Sequence, residues 1–394
     1  NMRLPKGFVA SGVRAGIRKK RPDVALIVAE GGANAAAVFT RNRFLAAPVV
    51  LAKAALKRSG GRVRGVVVNS GCANAITGPA GMAAAKRVQE KTAELLSCPK
   101  DEIFVASTGV IGVVLPDELI RQALPGAVTR LSGLGLAAVS QAILTTDVGP
   151  KVAQASFTWH GKRGRVVGVA KGAGMIHPNM ATMLAFLMTD APASPAFLRE
   201  VLKQANEESF NSISVDGDTS TNDVVLLMAS GKLGGPAMTA GADAQSFVKA
   251  VTQVCRDLSW MIVRDGEGAS RVMEIDVRGA RNARDANLAA HAVATSPLVK
   301  TALAGGDPNW GRILAAVGRS GARFAPSKTS LVVGGLKLVE RGVPVPYSER
   351  EAVRLFLKER VPLLISLGDG PGRATLLSCD LGHDYVTLNA DYRT

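Results

Sequence analysis

Residues 171–190, KGAGMIHPNMATMLAFLMTD, pass from turn chemistry straight into what reads as a buried strand. Gly172, Gly174 and Pro178-Asn179 are turn formers, and from Ala181 onward the chain is almost continuously apolar. Thr182 stands at the junction. Threonine is a good strand former, so the plain reading is a strand opening. The sharper reading is a nucleophile held at the mouth of a site. A threonine hydroxyl is weak without an adjacent base. Scission of the Ala181–Thr182 bond would supply one, because the freed α-amine, with an ordinary pKa of about 7.7–8, sits beside the hydroxyl of the same residue. Attack of that hydroxyl on the Ala181 carbonyl in a strained turn is a self-catalysed route, and Lys171 offers a cation for a substrate carboxylate.

Outward from this stretch, short apolar strands alternate with helical segments, the grammar of an α/β or α+β architecture. GVVVNSG (65–71), EIFVASTGVIG (102–112) and RVVGVAKGAGM (165–175) each run as a strand into a glycine turn. DVVLLMAS (223–230), RVMEIDVRG (271–279), TSLVVGG (329–335) and DYVTLNA (384–390) read as further strands. Helices are expected at 80–98, closed by Pro99, and at 197–209, 244–262 and 348–359. A change of composition at RGARNARDAN (278–287) marks the expected division into domains 1–278 and 279–394, the first spanning the 181/182 junction.

Composition narrows the function classes. Apolar residues make up 47% of the 394, enough for a large core. No segment reaches the roughly 18 uncharged apolar residues of a spanning helix, so no membrane partner is expected. The formal charge is +16, and residues 1–64 hold 14 Lys or Arg against Asp23 and Glu30, a net of +12. Such a surface can attract nucleic acid. Aromatics are only 4%, however, and no nucleic-acid-binding motif appears, which favours a solvated or subunit-facing surface. Four scattered cysteines without a CxxC fit a reducing compartment, and four scattered histidines form no metal-ligand spacing. The basic start lacks the apolar core of a secretory signal, and the expected location is the cytoplasm.

Several motifs admit a chemical and a plain reading. The turn STGVIG (107–112) offers the Thr108 hydroxyl and the Gly109 amide to a developing oxyanion, or is simply a satisfied turn. SISVDGDTSTND (212–223) has the acids of an aspartyl phosphatase at Asp216 and Asp218, but it fails as a calcium loop, and buried turns of this composition bond their own backbone. RDGEGAS (264–270) places Glu267 between glycines, to meet an ammonium or move a proton, or merely to face solvent. GGDPNWGR (305–312) is no P-loop and reads as a structural loop. No nucleotide-binding glycine motif opens a helix after a strand, so nucleotide cofactors are not indicated.

Taken together, KGAGMIHPNMATML, AGIR (15–18), NSGCANAITG (69–78), STGVIG, LTTD (144–147), SFNSISVDGDTSTND (209–223), IVRDGEGA (262–269), GGDPNWGRI (305–313) and LNADYRT (388–394) resemble, in order, the ornithine acetyltransferase (glutamate N-acetyltransferase) family of arginine biosynthesis. The resemblance covers nearly the whole chain. It implies a layered αββα-type catalytic domain with a smaller C-terminal α/β domain, and scission between Ala181 and Thr182. It also implies acetyl transfer from N-acetylornithine to glutamate through acetyl-Thr182, with Thr108 and Gly109 as the oxyanion hole. Substrate contacts are implied at Thr145, Lys171, Thr182, Glu267, Asn389 and Thr394. No metal or cofactor is implied, and acetyl-CoA is a possible co-substrate in bifunctional members. The two fragments of each chain are implied to stay associated, as a heterotetramer of two pairs. Cys72 stands where the family more often has Asn. Two other readings compete: a related N-terminal-nucleophile aminopeptidase or amidase, which would hydrolyse the acyl-enzyme, and a nonenzymatic basic nucleic-acid-binding protein. The basic first sixth of the chain is not explained by the resemblance.

Overall fold

A computed structural model describes residues 2–177 and 183–391. The Ala181–Thr182 junction and Thr394 lie outside the described residues. The chain divides into two compact units: one comprises residues up to 211 together with 218–262, and the other comprises 212–217 with the chain from 263 onward. The division therefore falls before 278. The strand at 272–280 is central to the second unit's sheet, so the compositional change at 278–287 marks only its exit into the next helix.

In the first unit, β1 (Phe8–Val13) pairs with β2 (Val24–Phe39), a 16-residue strand whose register shifts between Val28 and Ala33. Helix α1 (Ala47–Arg58) leads to β3 (Arg62–Cys72), and α2 (Gly78–Leu96) leads to β4 (Ile103–Val110), parallel to β3. Helices α3 (Asp117–Thr129) and α4 (Leu136–Ala142) precede the hairpin of β5 (Lys151–Trp159) and β6 (Lys162–Lys171). Strand β7 (Leu184–Thr189) and helix α5 (Pro195–Glu207) follow. The chain gives β8 (Ile213–Ser214) to the other unit, then returns as β9 (Val224–Ala229) and α6 (Gln245–Arg264), whose end passes into the second unit. Among the described residues the strand order is β4-β3-β2-β9-β7-β6-β5, with β1 also on β2.

Period-two alternation folds this sheet into two layers. Ala25 and Ile27 of β2, Val66 and Val68 of β3, and Phe104 of β4 share one core with Val167 and Val169 of β6, Leu184, Phe186 and Met188 of β7, and Leu226 of β9. The intervening residues Leu26, Val67, Ile103 and Val105 pack instead on Val88 of α2 and on Ile120 and Leu124 of α3. On the opposite side, a side chain at Gly168 of β6 would meet Val254 and Leu258 of α6. Helix, sheet, sheet, helix is the layering implied by the resemblance. It also accounts for the unbroken apolar run after Thr182: β7 is buried on both faces, so alternation disappears from its sequence.

The second unit holds β10 (Val272–Ala280), α7 (Ala283–Ala294), α8 (Pro297–Ala304), α9 (Trp310–Gly318), β11 (Ser330–Val333), β12 (Leu336–Glu340), β13 (Val343–Pro344), α10 (Glu349–Phe356), β14 (Arg360–Ser366), β15 (Gly372–Cys379) and α11 (His383–Asp391). Its sheet runs β13-β12-β11-β14-β10-β15-β8. Met273, Ile275, Leu363 and Ile365 pack with Ala289 and Val293 of α7, Leu303 of α8, Val317 of α9 and Phe356 of α10. DYVTLNA (384–390), expected as a strand, is the helix α11. Strand β15 pairs with β10 along its length and with β8 at Leu377 and Ser378, and the alternating residues of 384–390 join neither edge. GGDPNWGR is not wholly a loop either: Asn309 caps α9 by accepting from the Arg312 N–H. Among the described residues no helix is long and apolar enough to cross a membrane.

Candidate active site

Two glycine turns meet at the end of β3 and β4. Gly109 has φ +132°, and a Cβ there would lie 2.3 Å from the Gly71 carbonyl carbon and 2.5 Å from the Cys72 nitrogen. Only glycine lets the STGVIG and NSGCAN turns approach this closely. Asn222 stitches them together: its amide donates to the carbonyls of Ala73 at 2.7 Å and Ser107 at 2.8 Å. Asn69 donates to the Cys72 carbonyl at 2.8 Å and accepts from the Ser107 hydroxyl at 2.6 Å. The dense polar stretch 218–223 thus serves at least partly as scaffold, through Asn222. Among the described residues no cluster suited to a metal ion occurs.

Lys171, at the end of β6 on the other layer, reaches this turn. Its ammonium donates to the Thr108 hydroxyl at 3.3 Å. With the oxygen accepting from Lys171, the Thr108 proton is left to point elsewhere. Across the β6–β7 ladder Lys171 pairs with Leu184, two positions after Thr182 in the sequence. Thr145, in the loop after α4, donates its backbone N–H to Asp147 Oδ2 at 3.0 Å, and Asp147 Oδ2 lies 3.9 Å from the Lys171 ammonium. Burial alone would push the Asp147 carboxyl up, but the Lys171 and Lys151 ammoniums reverse this and hold it below the usual carboxylate range. The structure therefore brings Thr108, Gly109, Lys171 and Thr145 to one locality of the first unit.

Further residues organise this locality and were not singled out from the sequence. Asp147 lies inside LTTD, where the threonines drew attention, and its signal is a lysine four residues on. Arg18 of AGIR donates to the carbonyls of Leu144 and of Thr145, the latter at 3.3 Å, while buried Asp23 accepts from the Ala15, Gly16 and Arg18 amides at 2.6, 3.1 and 2.8 Å. Part of the basic first sixth is thus structural. Asp223 is fully enclosed, its Oδ2 has no hydrogen-bond partner among the described residues, and burial pushes its carboxyl well up despite the Met183 amide and Lys171. Half-buried His177 is held below its ordinary pKa by burial, partly offset by Asp218.

The second unit contributes its own polar cluster. Glu267, 8% exposed, accepts from the Asn389 amide at 2.8 Å, and Asn389 also donates to the Tyr385 carbonyl at 3.0 Å. Asp380 accepts from the Ser270 and Arg271 amides at 2.8 and 2.9 Å, pinning the RDGEGAS loop. Gly268 (φ +69°) lies so close to α11 that a Cβ would be 2.5 Å from the Tyr385 nitrogen. Glu267 and Asn389 are thereby brought together within that unit. Glu267 is therefore not a solvent-facing turn residue.

The ArgJ family model matches residues 9–394. The chain belongs to the ArgJ family. It is 46% identical over 391 residues to the arginine biosynthesis bifunctional protein ArgJ of Chlorobaculum tepidum, covering 99% of this chain and 96% of that protein. The protein of the same name from Thermus thermophilus is 46% identical over 398 residues and is covered completely, as is this chain. The crystal structure of arginine biosynthesis bifunctional protein argJ from Bacillus halodurans matches 54% of this chain and 100% of that chain, with 40% identity and a TM-score of 0.52. The family resemblance carried by the nine sequence motifs is thus borne out over nearly the whole length.

Proposed function

We propose that this chain is the acetyltransferase of arginine biosynthesis that moves acetyl from N-acetylornithine to glutamate, by double displacement through acetyl-Thr182. The observation that carries the reading is the Lys171 ammonium 3.3 Å from the Thr108 hydroxyl, beside a Gly109 turn that admits no side chain. A hydroxyl oriented by a cation, next to a backbone amide in a rigid turn, suits a tetrahedral oxyanion. Scission after Ala181 frees the Thr182 α-amine, which takes the proton of its own hydroxyl as the oxygen attacks the acetyl carbonyl. Thr108 and Gly109 stabilise the oxyanion. The C–N bond breaks, ornithine leaves with the proton, and the glutamate α-amine then attacks acetyl-Thr182 to release N-acetylglutamate. Lys171 and Thr145 bind a substrate carboxylate, Glu267 and Asn389 an ammonium, and Thr394 completes the set of contacts.

The same proposal needs no metal or nucleotide cofactor and includes acetyl-CoA as a second acetyl donor to glutamate, in keeping with the word bifunctional in the relatives' names. The two fragments remain together as a heterotetramer of two pairs, in the cytoplasm. Its test is product analysis of the purified protein. N-acetylornithine plus glutamate should yield ornithine and N-acetylglutamate, and acetyl-CoA plus glutamate should yield N-acetylglutamate in a separate reaction. Release of free acetate at the rate of ornithine release, with no N-acetylglutamate, would replace transferase by amidase.

A further inference from the structure

Arg18 accounts for only part of the basic first sixth of the chain, whose densest run is the loop between β1 and β2. Residues 14–23 carry five basic side chains, Arg14, Arg18, Lys19, Lys20 and Arg21, against the single acid Asp23. That acid is turned inward. Its carboxylate accepts from the Ala15, Gly16 and Arg18 amides, and its own carbonyl accepts from the Ser70 amide at 2.9 Å. The loop is thus fixed from within, against the NSGCAN turn. Arg14, Lys19, Lys20 and Arg21 are exposed, and none of the ion pairs among the described residues engages them. Arg14 donates instead to the Lys19 carbonyl at 2.6 Å, which brings it back to the run Lys19–Arg21. Like charges crowded without an acid repel one another, and an anion is what would relieve them.

The place of the loop says which anion. A Cβ on Gly71 would lie 2.9 Å from both Ile17 Cγ2 and Arg18 Cγ, so the loop rests on the same turn that closes on Gly109. Arg18 reaches the Thr145 carbonyl at 3.3 Å. Four exposed basic residues therefore stand beside the acyl-transfer locality without taking part in it. Neither N-acetylornithine nor glutamate carries a phosphate for them. Acetyl-CoA does: a long pantetheine arm joins its thioester to a pyrophosphate and a ribose phosphate, strong partners for arginine and lysine. Nucleic acid offers phosphates too, but residues 14–23 include no aromatic side chain on which a base could stack.

We propose that the loop 14–21 is the phosphate site for acetyl-CoA, with Arg14, Lys19, Lys20 and Arg21 against the phosphates and the thioester laid toward the Thr108–Gly109 turn. The proposal rests on the reading of acetyl-CoA as a second acetyl donor. The Thr182 oxygen attacks the thioester carbonyl as it does the amide. The C–S bond breaks, and the hydroxyl proton passes through the α-amine to the leaving thiolate, giving acetyl-Thr182 and free CoA. The loop acts on the binding of this one donor, and its effect weakens with salt because its cations are exposed.

The test is steady-state kinetics on the full-length protein with three donors and glutamate as acceptor: acetyl-CoA, N-acetylornithine, and S-acetylpantetheine, which keeps the thioester and arm but lacks the phosphates. The triple variant Lys19→Ser, Lys20→Ser, Arg21→Ser should lower kcat/KM for acetyl-CoA roughly tenfold at low salt, the order expected of three exposed ion pairs lost together. For S-acetylpantetheine and N-acetylornithine kcat/KM should move by no more than about twofold. An unchanged kcat/KM for acetyl-CoA, or an equal fall with S-acetylpantetheine, would overturn the proposal. Loss of duplex DNA affinity in the variant with acetyl-CoA kinetics unchanged would give the loop to nucleic acid instead. Should the triple variant not fold, the parent carries the test: its preference for acetyl-CoA over S-acetylpantetheine must shrink as salt rises, and a preference independent of salt overturns the proposal. A parent that uses N-acetylornithine but not acetyl-CoA would remove the second-donor reading and the proposal with it. A parent that uses neither would overturn the acetyl-transfer reading itself.

Discussion

Replacing Gly109 by alanine perturbs the proposed oxyanion turn at its narrowest point. The added Cβ would lie 2.3 Å from the Gly71 carbonyl carbon, 2.5 Å from the Cys72 nitrogen and 2.7 Å from the Gly71 Cα. All three are backbone atoms in strands locked by a parallel ladder, so no side chain can swing aside. Ordinary contact requires the two turns to part by about 1 Å, and a misplacement of that size at a catalytic group costs on the order of 10²-fold in rate. The φ of +132° adds strain, on the order of 1–3 kcal/mol for a non-glycine residue. Gly109→Ala should therefore lower kcat about 10²-fold with a smaller change in KM, and lower Tm by several degrees. Steady-state transfer kinetics and a thermal melt read the two effects separately. A variant that melts lower yet keeps the parent kcat would refute the assignment of the 109 amide to the oxyanion. Unchanged values of both would mean that the two turns are not held as described.

Thr182→Ala should leave a single uncut chain by denaturing mass spectrometry and abolish acetyl transfer; two fragments divided at 181/182 in that variant would remove Thr182 from the scission chemistry. Glu267→Gln, which keeps the volume and loses the charge, should lower kcat/KM for N-acetylornithine at least tenfold, equivalent to about 1.4 kcal/mol of lost ammonium binding; an unchanged kcat/KM would return Glu267 to a loop-packing role with Asn389. Burial raises the Asp223 carboxyl well above its ordinary 3.8, so the folded chain favours the protonated form, and stability is lost as pH rises beyond 3.8, where the unfolded chain ionises. Asp223→Asn removes that loss. Its Tm relative to the parent should climb from pH 4 upward, and a difference independent of pH would contradict the burial argument.

What the sequence disclosed, and what it concealed, divides along physical lines. Strands at 65–71, 102–112 and 165–171 were legible because each ends in a glycine turn, a signal local to the chain. The buried β7 run was legible as a strand, but not that it lies between a second sheet layer and a helix, because continuous hydrophobicity does not say what covers it. Residues 384–390 alternate like a strand but fold as α11, which packs against the loop of Glu267 and Gly268, a contact between distant parts of the chain that the segment itself does not display. The Ala-rich α7 went unread for a related reason: small residues pack closely on β10 and β15 and leave little periodicity to see.

At the site, Thr108, Gly109 and Lys171 were visible through turn chemistry and Glu267 through its place between two glycines, and Thr145 acquired its role through a family motif. Asp147 was hidden within LTTD because a carboxylate becomes informative only when its partners are known, and Lys151 and Lys171 lie on two different strands. Asn222 was likewise submerged in a stretch of acids and hydroxyls that read as a buried turn bonding its own backbone, with an aspartyl phosphatase as the second reading. Its function is to hold the carbonyls of Ala73 and Ser107, a relation between residues more than 100 positions apart in the case of each carbonyl.

The decisive measurement is the mass of the fragment beginning at Thr182 after incubation with N-acetylornithine and no acceptor, followed by addition of glutamate. A covalent acyl-enzyme requires that fragment to become heavier by one acetyl group, located by fragmentation to Thr182, and to revert as N-acetylglutamate appears. A fragment that stays unmodified while glutamate is acetylated at the full rate would mean direct transfer between substrates, and would contradict the nucleophilic role of Thr182.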